Sequence, residues 1–155
     1  MKVIDESRKE YSWLLISLMI FLGIGAFGGG ATLILSPDGK LLGLPLSILS
    51  LSPFRNFLIP GIILFLILGV VPLLLVYALI AKPISKYAEL INIFSDMHWA
   101  WGYSIYTSFA LIIWLQVEMS YVGVHWLHSF YMMFAIILII VLTIPGNKKY
   151  YNKVI

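Results

Sequence analysis

The chain contains no cysteine. That excludes disulfides, thiol redox chemistry and thiolate metal ligands. Charge is scarce as well: Asp, Glu, Lys and Arg supply 11% of the 155 residues. The few basic residues are interleaved with acids, so the electrostatic footprint of a nucleic-acid-binding protein is missing. No serine sits in a G-x-S-x-G elbow, and no two carboxylates form the close pair of a glycosidase. What fills the chain instead is apolar: 61% of its residues are hydrophobic. A soluble domain of this length cannot hide so much apolar surface, so lipid must cover part of it.

Four spans follow from the apolar runs. Residues 57–81 hold no charge and form a helix of about 37 Å, longer than a hydrocarbon core of about 30 Å. The spans are placed at about 11–35, 54–81, 98–122 and 126–144, after a short charged segment, Met1–Glu10. The first is too long for a cleaved signal peptide and reads as a retained helix. Ser36-Pro37-Asp38-Gly39 predicts a type I turn. The apolar stretch Leu41–Leu51 is too short to span and is expected in the membrane interface, with a short helix from Pro45. Ser52-Pro53 is expected to cap and open span two, and Pro60-Gly61 and Pro72 to bend it. Residues 84–95 alternate as an amphipathic surface helix, with Ile84, Tyr87, Ala88, Ile91 and Phe94 on one face. Ser95 or Asp96 is expected to cap span three, with Trp99 and Trp101 as an aromatic belt. Pro145-Gly146 should stop span four, leaving a basic, aromatic tail.

The basic residues fix an orientation. Eight of the ten (Lys2, Arg8, Lys9, Lys82, Lys86, Lys148, Lys149, Lys153) fall on one side, and Lys40 and Arg55 on the other. The expected arrangement is therefore an all-α, single-domain four-helix bundle with both termini cytoplasmic. Span one carries Gly23-Ile-Gly25-Ala-Phe-Gly28, a G-x-G-x-x-G match. No strand precedes it and no βαβ unit surrounds it, so it is no dinucleotide site. Gly25 with Gly29, and Ala26 with Gly30, instead make small-xxx-small pairs for close helix packing, within the bundle or between subunits. A kink near the triple glycine and a homo-oligomer are both expected from this surface.

One cluster has chemistry to offer. On a helical wheel, Ser104, Thr107, Leu111, Trp114 and Tyr121 share a face with Glu118, while Ile105, Phe109, Ile112 and Gln116 fall opposite. His125 and His128 open span four on one face, and Arg55 borders the same outer surface. Three readings compete: a structural lock of Glu118 with Arg55 or a histidine, a site for a lipid headgroup or amphiphile walled by Trp114, Tyr121 and Trp126, or catalysis or metal binding by Glu118 with His125 and His128. The pattern lacks His-Glu-x-x-His, so no metal and no cofactor are assigned.

The runs Gly29–Gly39, Leu42–Leu46, Ser52–Phe54, Leu58–Gly61 and the Trp114–Tyr131 region resemble those of a group of small bacterial four-span membrane proteins without assigned function. The resemblance implies a bacterial cytoplasmic membrane and carries over no catalytic residue. The cysteine-dependent quinone-linked oxidoreductases are excluded, and the E-R-x-x-x-N pattern of membrane glutathione transferases is absent from span two. The function expected is a non-enzymatic integral membrane protein that binds lipid or an apolar small molecule near the outer leaflet. Its partners are membrane lipids and further copies of itself, with no nucleic acid. The alternatives are a membrane-embedded enzyme and an oligomeric channel or transporter.

Overall fold

The computed structural model describes residues 2–153, and side chains for 12–153. The described chain is all helical apart from its loops and one isolated bridge, Met97 with Asn152. The helices are α1 (Lys2–Leu35), α2 (Leu58–Ala81), α3 (Lys86–Leu90), α4 (Trp99–Val122), α5 (Trp126–Thr143) and α6 (Pro145–Tyr151). Four stretches, Ser12–Leu35, Leu58–Ala81, Trp99–Val122 and Trp126–Thr143, are long and apolar enough to cross a membrane. They run alternately up and down. Loop 36–57 and the turn 123–125 share one end, here the loop end; the remaining connections and both ends of the described chain share the other, the terminal end.

The α1–α2 pair is held by backbone-to-backbone approach. Lipid tails are as apolar as leucine, so helices in a bilayer associate through packing, and small residues permit it. A Cβ on Gly30 would lie 2.6 Å from the Phe65 nitrogen, and one on Gly69 would lie 2.8 Å from the Phe27 nitrogen. These contacts lie within one chain. Ala26 is also buried, whereas Gly25 and Gly29 turn toward a cavity described below. The helix runs without a break through Gly28, Gly29 and Gly30. It also extends back through the charged segment to Lys2; the solvation expected there concerns side chains outside the described residues.

Span two is less regular than span one. Leu64–Val70 coils as a π-helix between two α-helical pieces. Pro72 has no N–H for the carbonyl one turn back, and its ring would strike that carbonyl in a regular helix. A wider turn just before it relieves both. Pro60 causes no break, because it sits in the first turn, where N–H groups lack helical partners anyway. The helix starts four residues later than expected. Ser52 is not its cap: the Ser52 hydroxyl accepts from Phe54 N–H at 3.1 Å, and Asn56 Oδ1 accepts from Leu58 N–H at 3.1 Å. The turn at Ser36–Gly39 forms as expected, with Gly39 N–H donating to Ser36 O at 2.9 Å. The helix expected from Pro45 is a single 3₁₀ turn, Leu46–Leu49.

The terminal end departs most from expectation. The amphipathic helix over 84–95 shrinks to Lys86–Leu90, capped by Ser85. Asn92 ends it: its Nδ2 donates to Met97 O at 2.9 Å and its Oδ1 accepts from Phe94 N–H at 3.2 Å, holding an irregular loop. Ile84, Tyr87, Leu90, Ile91 and Ile93 stay exposed. His98, not Ser95 or Asp96, caps α4, with Nδ1 accepting from Ala100 N–H at 3.2 Å. Burial holds the His98 imidazole below its ordinary value, against the carbonyls of Pro83 and Lys82 and the Glu89 carboxylate, which pull it up. Trp101 is buried rather than part of a belt, and its indole donates to Leu142 O at 3.0 Å.

Pro145 stops α5 but starts α6, which packs back on the bundle. Asn147 and Tyr151 are buried, and the Tyr151 hydroxyl meets Ser12 Oγ at 2.8 Å. Beyond α6, Lys153 N–H donates to Asp96 O at 2.8 Å, and Lys153 Nζ lies 2.7 Å from Glu89 Oε2. The tail is thus a strap that ties α1, α2 and the 82–98 loop together.

Candidate functional site

The main core, with Leu15, Met19, Leu22, Leu75, Leu79, Trp101, Leu138 and Leu142 among its buried members, joins all four spans and is densest toward the terminal end. There the α1–α2 hairpin packs against α4, α5 and α6. Toward the loop end the two hairpins part. Between them lies a cavity of about 580 Å³, within the 300–1,000 Å³ typical of small-molecule sites.

Its walls come from every layer of the fold. Gly25, Ala26 and Gly29 of α1 form one side, and Leu64 and Leu68 of α2 the floor beside them. Leu111, Trp114, Leu115 and Glu118 of α4 face them, with His128 and Tyr131 of α5. Loop 36–57 is the cover, through Leu44, Ile48, Leu49, Phe54 and Phe57. A smaller buried cluster of Leu33, Leu49 and Phe57 seats that cover on α1. Glycine at 25 and 29 is what leaves room: a Cβ at Gly25 would already lie 3.2 Å from the Tyr131 hydroxyl.

The α4 face that lines the cavity is the polar face expected from the wheel. Ser104 and Thr107 are buried, but so is Ile105, which the wheel set opposite. Ser104, Thr107 and Ser108 each donate to the carbonyl four residues back, at 2.8–2.9 Å. Their polarity is absorbed within the helix. Two groups nearer the loop end are not absorbed. Trp114 is 9% exposed, and its indole N–H is buried without a hydrogen-bond partner. Glu118 keeps a third of its side chain accessible.

Glu118 has two donor neighbours, the Trp114 indole and His128. His128 Nε2 lies 3.7 Å from Glu118 Oε2, close for an ion pair and too long for a hydrogen bond. His128 Nδ1 accepts from His125 N–H at 3.0 Å. That nitrogen is therefore the unprotonated one, and Nε2 carries the hydrogen toward Glu118. The carboxyl keeps acceptor positions free toward the cavity.

Five of the six residues singled out for the outer cluster, Trp114, Glu118, Tyr121, His125 and His128, line this one cavity. Arg55 does not: it is exposed and outside the lining, so a Glu118–Arg55 lock is not formed. Trp126, expected as a wall, is exposed and also outside the lining. Among the described residues no three of His, Asp and Glu are grouped so as to hold a metal ion, Glu118, His125 and His128 included. Sequence reasoning missed the cover, Leu44 to Phe57, and Tyr131. The excess of leucine in loop 41–51 was the available signal, since half of that loop turns inward.

Lys40 and Asp38 sit on the rim of the loop end, 2.9 Å apart. The Ser36 hydroxyl, then Lys40, hold the Asp38 carboxyl down at about 2. A carboxylate lowered in this way supports the loop above its ordinary value of 3.8 and ceases to do so as pH falls toward about 2. Asp38 Oδ1 also accepts from Lys40 N–H at 3.2 Å. The Lys40 amide resonance should therefore titrate with a midpoint near 2; a midpoint at the ordinary value would show the turn unformed in solution.

The fold defines an all-helical protein with four helices able to cross a membrane, compatible with an integral membrane protein, and with an apolar cavity at its loop end. No protein-family model, curated protein or solved structure matches the chain.

Proposed function

We propose that this is a multi-pass, non-enzymatic protein of the bacterial cytoplasmic membrane that holds a lipid or apolar small molecule in the cavity between its helical hairpins. The observation that carries the reading is the cavity itself: about 580 Å³, walled by leucines and glycines, with its few polar groups gathered at one end. An amphiphile in a leaflet has the same polarity gradient. With its Nδ1 accepting from the backbone, His128 carries its hydrogen on Nε2 and is not a general base in this state. Self-association remains part of the proposal, although on α1 only Gly28 faces open space.

Filling the cavity tests the reading. A Cβ at Gly29 meets only Leu64 Cδ2, at 3.6 Å, so a side chain there can enter the cavity without striking backbone. Gly29→Phe should remove any co-purifying lipid seen by native mass spectrometry. Gly28→Phe, one residue back and with nothing within 4 Å of its Cβ, should leave it. Equal lipid retention in both variants would count against the site.

The orientation places the loop end outside. With no native cysteine, single substitutions report it cleanly. Ser50→Cys should react with a membrane-impermeant maleimide in intact cells, and Lys149→Cys only after permeabilisation. The reverse pattern would invert the topology.

A further inference from the structure

Resting on the cavity reading, we propose that the occupant is a single-chain amphiphile with a cationic head, a primary or quaternary ammonium, seated against Glu118. Of the residues lining the cavity, one is acidic and none is lysine or arginine. A phosphate or carboxylate head would therefore meet a carboxyl and no fixed positive charge, with the Trp114 indole N–H as a lone buried donor. His128 does not change the balance. Its Nδ1 is spent on His125 N–H, so the ring is neutral and faces Glu118 through Nε2.

The aromatic groups complete the argument. Trp114 and Tyr121 line the cavity one turn on either side of Glu118, and Tyr131 of α5 lines it near Gly25. Aromatic π-faces attract ammonium groups, more strongly where water is excluded, and aromatic cages recognise quaternary ammonium heads. Below them Leu22, Leu64, Leu68, Leu111 and Leu115 line the deep part, with no polar side chain among them. One tail fits that shape. Lys40 and Arg55, the basic residues of loop 36–57, lie outside the lining and are exposed, so they do not supply an anion site at the mouth.

The test uses the full chain purified in a neutral maltoside detergent, with three probes of equal tail length: dodecyltrimethylammonium, dodecanol and laurate. Native mass spectrometry reads one-to-one adducts. The ammonium probe should bind about tenfold more tightly than dodecanol, and laurate more weakly than either. Glu118→Gln should erase the ammonium preference and leave dodecanol binding unchanged. Glu118→Asp, which restores the charge, should recover it. Equal binding of all three probes, or a preference for laurate, overturns the cationic head and leaves the cavity reading standing. No adduct with any probe overturns both.

Discussion

Gly30→Leu should strongly destabilise the folded protein. The Cβ alone would sit 2.6 and 2.7 Å from the Phe65 nitrogen and Cα, and 2.8 Å from the Gly61 oxygen. All three are backbone atoms of α2, so no rotamer change can make room. The helices must move apart, and in a bilayer there is no hydrophobic gain between them to offset lost packing. Overpacking a tight core costs about 1–3 kcal/mol and sometimes more. At roughly 2–4 °C per kcal/mol, the thermal midpoint in detergent should fall by about 10 °C, or the protein should not purify as a single species. Gly28→Leu is the control, because nothing lies within 4 Å of its Cβ. A Gly30→Leu protein as stable as Gly28→Leu would mean that α1 and α2 do not meet as described.

Tyr151→Ala should be nearly as severe, from the opposite end of the molecule. Tyr151 is 1% exposed, its hydroxyl bonds Ser12 Oγ at 2.8 Å, and its backbone oxygen accepts from His98 N–H at 2.8 Å. Burial pushes its phenol up to about 12, against the Ser12 hydrogen bond. Truncating a buried aromatic costs about 3–5 kcal/mol, so a drop of about 10 °C is expected here too. Tyr151→Phe keeps the packing and loses the hydroxyl's contacts with Ser12 Oγ and Leu79 O, each worth about 1 kcal/mol or less. The ratio of the two effects separates packing from polarity. Ligand retention at the loop end should survive Tyr151→Phe, because the strap does not touch the cavity lining.

The four spans were legible because a bilayer reads length and apolarity, which a sequence states directly. The polar face of α4 was legible for the same reason: Trp114 and Glu118 are one helical turn apart and cannot both be hidden from a partner helix. The glycine surface was read as a close-packing device; Gly30 meets α2 in that way, whereas Gly25 and Gly29 line the cavity. Which of Gly23, Gly25, Gly29 and Gly30 meets α2, and which lines a space, depends on the rotation of α1, and periodicity does not set that. The strap was missed because NKKYYNKVI looks like any basic juxtamembrane tail. Only the placement of Ser12 and Leu79 beside it shows that Tyr151 has somewhere to be buried. Asn92 broke the amphipathic helix for a comparable reason, since its amide found a better set of backbone partners in the loop.

The cavity tests the account most directly. An experimental density map of the protein in lipid nanodiscs should show elongated non-protein density running from Glu118 past Trp114 toward Leu68, between α1 and α4. A map in which those two helices close on each other, with Trp114 packed against Gly25 and Gly29 and no space between, would contradict it.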